Sequence, residues 1–216
     1  MRIGPDYEEV RHLADGTAVR LRLLRPDDRE KLLAGFAELS DASRYTRFFT
    51  AMPDLSDRML ERLLHTDERD HLAIAAEAGD VPSASAPGYG VARFIRLEET
   101  PDVAEAAVVV IDRMQRRGLG KLLLARLAVA ARERGITRFR AEVLRTNRAV
   151  VALLDDLHVD GHPRFDGPVG IYELALPGRS EDDAHHGPLF GMLRLAASGL
   201  QVLLRRLLPE PHPPPS

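Results

Sequence analysis

Apolar and polar positions alternate with period two along Thr17–Arg25 (TAVRLRLLR), the pattern of a strand buried on one face. Pro26-Asp27-Asp28 then supplies a helix-start signal for a helix over Arg29–Leu39. Ser40–Phe49 (SDASRYTRFF) reads as a second short helical piece, and a third starts at Ser56 and runs to about Leu64. His71–Ala78 and Gly90–Leu97 predict two strands, joined by a hairpin loop through the small, turn-rich Gly79–Gly88 (GDVPSASAPG). Ala104–Ile111 is the next strand, followed by a helix over Leu119–Arg134 that Gly135 stops. Thr137–Leu144 predicts a strand, Asn147–Leu157 a helix and Gly170–Leu176 a last strand. Early helices, a central hairpin meander and a closing strand–helix–strand–helix–strand unit describe a mixed α/β sheet, not a doubly wound one.

The pattern divides the chain into a polar N-terminal arm (1–16), one domain (17–177) and an appendage (178–216). In the appendage, Gly178–Gly187 is polar and acidic, with the pair His185-His186 read as a solvated linker. Pro188–Leu208 (PLFGMLRLAASGLQVLLRRLL) is apolar at helical spacing and PEPHPPPS is disordered or polyproline-like in composition. Arg194, Gln201 and Arg205-Arg206 interrupt 188–208, so an amphipathic helix is expected rather than a membrane span. Such a helix packs on the domain, on a second copy as a homodimer, or flat on a membrane surface.

The densest chemical signal is the apolar β-branched run that ends in Gln115-Arg116-Arg117-Gly118-Leu119-Gly120 and opens into a leucine-rich helix. A strand, a glycine turn and a helix start in that order offer backbone N–H groups at a positive dipole end, a seat for phosphate or pyrophosphate. A Walker loop needs Gly at the position of Gln115 and Ser or Thr at that of Leu122, and a dinucleotide fingerprint needs a small residue where Leu123 stands.

Composition narrows the classes further. With 216 residues and 44% hydrophobic content the chain builds a real core, and a net charge of −3 gives no reason to expect nucleic acid as a partner. Cysteine is absent, which excludes disulfides, thiolate zinc sites and a cysteine nucleophile and fits a cytoplasmic setting. The first residues have no apolar core of a secretory signal, and the eight histidines show no metal-site spacing, so no metal is expected. Arg93, Arg96, Arg138 and Arg140 lie in strand-like runs and are read as a solvated outer face.

The Gln-x-x-Gly-x-Gly loop after a β-strand resembles the acyl-coenzyme A signature of the GCN5-related N-acetyltransferase (GNAT) superfamily. Asn147 in LRTNRAVVALL is similar to the asparagine opening that family's next helix, and Gly90–Arg96 (GVARFIR) to its hairpin strand. Leu39–Phe49 (LSDASRYTRFF) is similar to a segment of bacterial protein-lysine acetyltransferases. The resemblance covers roughly residues 17–176 and departs in two places. His158-Val159 stands where the family commonly has Gly-Phe, and Asn147–Leu157 contains no tyrosine to protonate a leaving thiolate. A thiol of pKa about 8.5 still leaves tolerably as the thiolate.

The resemblance implies a GNAT-type fold and acetyl-CoA as acyl donor, with an acceptor amine on a protein lysine or a small molecule. The amides from Arg117 to Lys121 are then the pyrophosphate seat, with Arg116 and Arg117 adding charge. Gln115, Gly118, Leu119 and Gly120 complete the loop, and Val108, Val109 and Val110 line the pantetheine arm beside Asn147. The strand carrying these valines is expected to splay from its neighbour, freeing backbone groups for the donor. Glu105 matches the glutamate that resembling lysine acetyltransferases use as general base. Asp67, Glu68 and Asp70 are its rivals by position, and Tyr172 faces either the core or the acceptor cleft. The alternative to an enzyme is a non-catalytic module that senses acyl-CoA.

Overall fold

The computed structural model describes residues 2–48, 54–144 and 164–176. Its centre is one eight-stranded sheet: β1 (Glu8–His12), β2 (Ala18–Leu23), β3 (His71–Ala78), β4 (Gly88–Arg96), β5 (Val103–Val110), β6 (Arg138–Leu144), β7 (Arg164–Asp166) and β8 (Val169–Ala175). They lie in the order β1-β2-β3-β4-β5-β6-β8-β7. Every neighbouring pair is antiparallel except β5 and β6, which the long connection through a helix makes parallel. The mixed sheet expected from the sequence is therefore observed.

The N-terminal boundary moves. Glu8–His12 lies inside the segment read as an arm, yet it pairs with β2 from Glu8–Arg22 to His12–Ala18 and forms the sheet's edge. Its sequence EEVRH shows no apolar alternation because four of its five residues are exposed. Glu9 is the exception: Tyr7 and both Nε and Nη2 of Arg126 donate to its carboxylate, at 2.8, 2.6 and 2.8 Å. The segment is thereby fastened to the long helix on one side of the sheet.

Helices cover both faces. α1 (Arg29–Ala37), α2 (Asp41–Phe48) and α3 (Asp57–Leu64) precede β3, and α4 (Leu119–Glu133) follows β5. Ser56 caps α3 by accepting from the Met59 amide at 3.3 Å. At the end of α4, Ile136 and Gly135 donate back to the carbonyls of Ala131 and Arg132, a Schellman closure with Gly135 at φ 76°. Leu119, Leu123, Leu124 and Leu127 of α4 pack on Phe94, Ala106, Val108, Phe139 and Tyr172, the main core. On the opposite face Phe36 of α1 and Met59 and Leu63 of α3 pack on Ala107, with Val109 and Ile95 at the margin. Successive residues of β5 thus serve different faces, as strand alternation requires. Residues 188–208 lie outside the described residues, and among those described no helix is long and apolar enough to cross a membrane.

Candidate active site

β5 is paired with β4 along its whole course, from Gly90–Val110 to Arg96–Ala104. Toward β6 the ladder holds only Val103–Glu105 against Arg138–Arg140. β6 meanwhile runs on to Leu144 in register with β8. The two parallel strands therefore diverge beyond Glu105, and a fork opens inside the sheet, matching the expected splay. Alternation fixes which backbone groups face it. Ile111 donates to the Tyr89 carbonyl at 3.0 Å, so odd-numbered residues of β5 bond toward β4 and even-numbered ones turn N–H and C=O the other way. Ala106 and Val108 thus face the fork, whereas Val109 bonds back to β4 and sends its side chain to the α1–α3 face. The Val110 carbonyl accepts from Gln115 Nε2 at 3.1 Å.

Glu105 stands at the apex of this fork, the last residue of β5 paired to β6, and is 5% exposed. It shares a face with Ala107 and Val109. In the cross-sheet register it sits between Ile95 and Arg140, and the row continues to His71 on one side and Glu173 on the other. Arg138 and Arg140 both donate to Glu173, at 2.9 and 2.8 Å. His71 Nε2 lies 3.3 Å from Nη1 of Arg93, which also donates to the Leu63 carbonyl at 3.0 Å. Burial, and then the Arg93 cation, pull the His71 pKa down to about 4, so the imidazole is neutral near pH 7. Arg93 itself is 3% exposed, which corrects the reading of it as part of a solvated face. α1 and α3 cover that face of β4, and no local pattern in GVARFIR announces them.

At the open end of β5 a short 3-10 turn over Asp112–Met114 leads into the glycine loop. Gln115 braces the loop: besides Val110 it donates to Asp112 Oδ1 at 3.1 Å and Ser43 Oγ at 3.3 Å, joining β5 to α2. Arg116 at φ 59° and Gly118 at φ 88° turn the chain, and Gly118 is the N-cap of α4. The first amides of a helix have no intrahelical acceptor, so Leu119 and Gly120, both buried, present N–H groups at the dipole's positive end. Arg116, Arg117 and Lys121 are exposed around the loop. Arg117 pairs with Asp15 at 3.2 Å and reaches the Thr17 hydroxyl at 3.5 Å, tying the loop to the turn before β2.

The structure thus brings Glu105, the Val108 backbone and the loop 115–121 along one strand and its continuation. Asn147 and the helix expected after it lie outside the described residues. Of the rivals of Glu105, Asp67 and Asp70 are already engaged within the fold. Asp67 accepts from the amides of Arg69, Asp70 and His71 at 2.9, 2.8 and 2.8 Å, and Asp70 pairs with Arg96 at 2.6 Å. Glu68 is half-buried with φ 60°. Tyr172 is in the core, 1% exposed.

Sequence reasoning missed a buried ionic cluster under α1. Arg22 donates to both oxygens of Asp28 at 2.7 and 2.6 Å and to Glu77 at 2.8 Å, and Lys31 donates to Glu77 at 2.7 Å and the Ser83 carbonyl at 2.6 Å. Burial alone raises the Glu77 pKa, but the hydrogen bonds from Arg22 and Lys31 outweigh it and hold the carboxyl at about 2. The available signal was the pair Arg20 and Arg22, two positions apart in TAVRLRLLR, opposite a lone Glu77 in the apolar HLAIAAEA.

Residues 32–158 match the model of the acetyltransferase (GNAT) family. The chain is 35% identical over 137 residues to Acetyltransferase Pat of Mycolicibacterium smegmatis, covering 63% of this chain and 40% of that protein. It thus spans well under half the length of that relative. An acetyltransferase of Pseudomonas aeruginosa is 30% identical over 171 residues, covering 77% of this chain and 89% of its own. The crystal structure of the GNAT domain of S. lividans PAT superposes with a TM-score of 0.68 at 34% identity, over 78% of this chain and 97% of that domain. On this fold and these matches, the chain belongs to the GNAT acetyltransferase family.

Proposed function

We propose that the protein moves an acetyl group from acetyl-CoA to the ε-amine of a protein lysine by direct attack, with Glu105 as general base. The observation that carries this reading is the position of Glu105: a buried carboxylate at the apex of the β5–β6 fork, one residue before the backbone that faces it. The glycine loop at the fork's mouth supports a donor whose pyrophosphate rests on the first turn of α4 while its thioester reaches Ala106–Val108.

An alkyl amine of pKa about 10.4 is protonated at neutral pH and is not a nucleophile. Glu105 accepts that proton directly or through one water, and the neutral nitrogen attacks the thioester carbon. The Ala106 or Val108 N–H supports the charge that develops on the carbonyl oxygen. The adduct's nitrogen then loses its second proton to solvent; as the adduct collapses the C–N bond remains, the C–S bond breaks, and the thiolate leaves to collect a proton from solvent. The chain has no cysteine to form an acyl-enzyme, consistent with direct transfer. The similarity to relatives bearing the name Pat supports a protein lysine over a small amine.

Thiol release from acetyl-CoA, followed with lysine peptides and a panel of small amines, tests this reading. Lysine peptides are expected to turn over, and Glu105→Gln is expected to lower the rate about 10²–10⁴-fold with donor affinity retained by calorimetry. Undiminished turnover in the variant removes Glu105 from the chemistry. Release with small amines alone removes the lysine acceptor, and binding of acetyl-CoA without release to any amine turns the protein into a sensor.

A further inference from the structure

One guanidinium in the sheet stands between two carboxylates. Arg140 of β6 is in register with Glu105 of β5 on one side and with Glu173 of β8 on the other. Neighbouring strands lie about 4.8 Å apart and residues in register share a face, so each carboxylate is within reach of the guanidinium. It goes to Glu173: Nε and Nη2 of Arg140 both donate to Oε1, at 3.3 and 2.8 Å. Arg138, two residues back on the same face, donates from Nη1 to the other oxygen of Glu173 at 2.9 Å. Nη2 of Arg138 in turn donates to Asp102 Oδ2 at 3.1 Å.

The chain Arg140–Glu173–Arg138–Asp102 alternates in sign, so its charges offset one another, and it ends beside Glu105. Other groups surround that carboxylate. On β4, Ile95 is its register partner and Arg93 lies one step along the diagonal, held by the Leu63 carbonyl and set against His71 of β3. On β6, Glu142 is the next residue of the alternation that carries Arg138 and Arg140. The helices over this face turn apolar Phe36, Met59 and Leu63 toward the sheet. Arg140 is thus the cation directly in register with Glu105, and Glu173 decides where its charge sits.

A guanidinium bound to a carboxylate favours its ionised form and occupies the lone pairs through which it would take a proton. A general base works best with a pKa near the operating pH, so a carboxylate clamped by Arg140 would be a poor one. Glu173 competes for the cation on better terms. It is half-buried where Glu105 is buried, so its charge loses less hydration, and Arg138 fixes it from the far side. We propose that Glu173 is a positioning residue for acyl transfer: it holds the Arg140 guanidinium on the β8 side, so that Glu105 keeps the basicity to take the proton of the acceptor amine. This rests on Glu105 as the base of the proposed function. Glu173 acts through Arg140 alone, and the proton still passes from the amine to Glu105.

Two readouts test it: carbon NMR titration of the Glu105 carboxyl in glutamate-labelled protein, assigned by its loss in Glu105→Gln, and the pH profile of kcat/KM with a lysine peptide. Glu173→Gln releases Arg140 and is expected to lower the titration midpoint by about 1 unit or more. The acid limb of the rate profile moves down with it, and the plateau falls about tenfold. Arg140→Gln, which leaves Glu173 paired with Arg138, is expected to keep the midpoint at or above the wild-type value. The double variant is expected to recover the midpoint and plateau of Arg140→Gln, which a merely structural loss at Glu173 would not allow. An unmoved midpoint in Glu173→Gln, a lowered one in Arg140→Gln, or a double variant as impaired as Glu173→Gln overturns the positioning role. Undiminished turnover in Glu105→Gln overturns the base and the positioning role together, whereas lost turnover there with an unmoved midpoint in Glu173→Gln overturns the positioning role alone. With no turnover of any amine, a lowered midpoint in Glu173→Gln sustains its hold on Arg140 and overturns the catalytic reading instead.

Discussion

Gly118 sets the geometry of the donor loop at the smallest scale. It caps α4 at φ 88°, in the left-handed region, and a Cβ on it would have nothing within 4 Å. A side chain there is therefore opposed by backbone conformation rather than by a clash. Gly118→Ala is expected to cost about 1–2 kcal/mol and to weaken acyl-CoA affinity, because relief of the strain turns the Leu119 and Gly120 amides away from a common point. Thermal melting and calorimetry read the two effects, and an unaltered affinity would separate loop conformation from donor binding. Arg117, expected to add charge at the loop, also pairs with Asp15. Its pairing with Asp15 makes it a tether for the loop as much as a source of positive potential.

At the scale of elements, the cluster of Arg22, Asp28, Lys31 and Glu77 joins β2, the turn before α1, α1 itself and β3. It positions α1 as roof of the α1–α3 face. Removing one partner leaves carboxylates buried without their counter-charge, which typically costs about 3–5 kcal/mol. Arg22→Met is accordingly expected to lower the denaturant midpoint strongly. Arg113→Ala, which breaks a surface pair with Glu38, is expected to change stability by about 0–1 kcal/mol. Equal losses in the two variants would show that the buried cluster does not lock α1. The fork is also a property of elements: β5 keeps its partner β4 throughout, and only the parallel ladder to β6 stops early.

For the whole molecule, acid sensitivity follows from a few groups on separate strands. Arg126 hydrogen-bonded to Glu9, and Arg22 with Lys31 on Glu77, hold both carboxyls at about 2, below their ordinary value. His71 is buried neutral with a pKa of about 4. In each case the unfolded chain binds the proton first, so stability is full above the unfolded pKa and falls as pH drops toward the folded one. Unfolding free energy is expected to decline from about pH 6.5 downward, first through His71 and then, below about pH 4.5, through Glu9 and Glu77 as well. Denaturant titrations across pH 3–8 check this: His71→Gln flattens the upper part, and a curve unchanged in that variant would remove His71 from the account. Legibility in the sequence follows the same division between local and distant causes. Ala104–Glu133 was legible because a β-branched run, a glycine turn and a leucine-rich helix are each signalled within a few residues. β1 was not, since an exposed edge strand is defined by its partner Ala18–Leu23 rather than by its own pattern. Arg93 was misjudged because helices distant in sequence cover it. The ionic cluster exists only once β2, α1 and β3 have assembled.

The ion pair of Lys31 bears on the enzyme's relation to its own product. Arginine supplies nearly all of the 30 basic residues, and Lys31 and Lys121 are the two lysines in the chain. Lys31 donates to Glu77 and to the Ser83 carbonyl, and a nitrogen engaged in that way offers no lone pair for attack. Under the proposed acylation of lysine amines, Lys31 is thereby closed to self-modification. Lys121, exposed in the first turn of α4, is the lysine side chain at which such self-labelling would register.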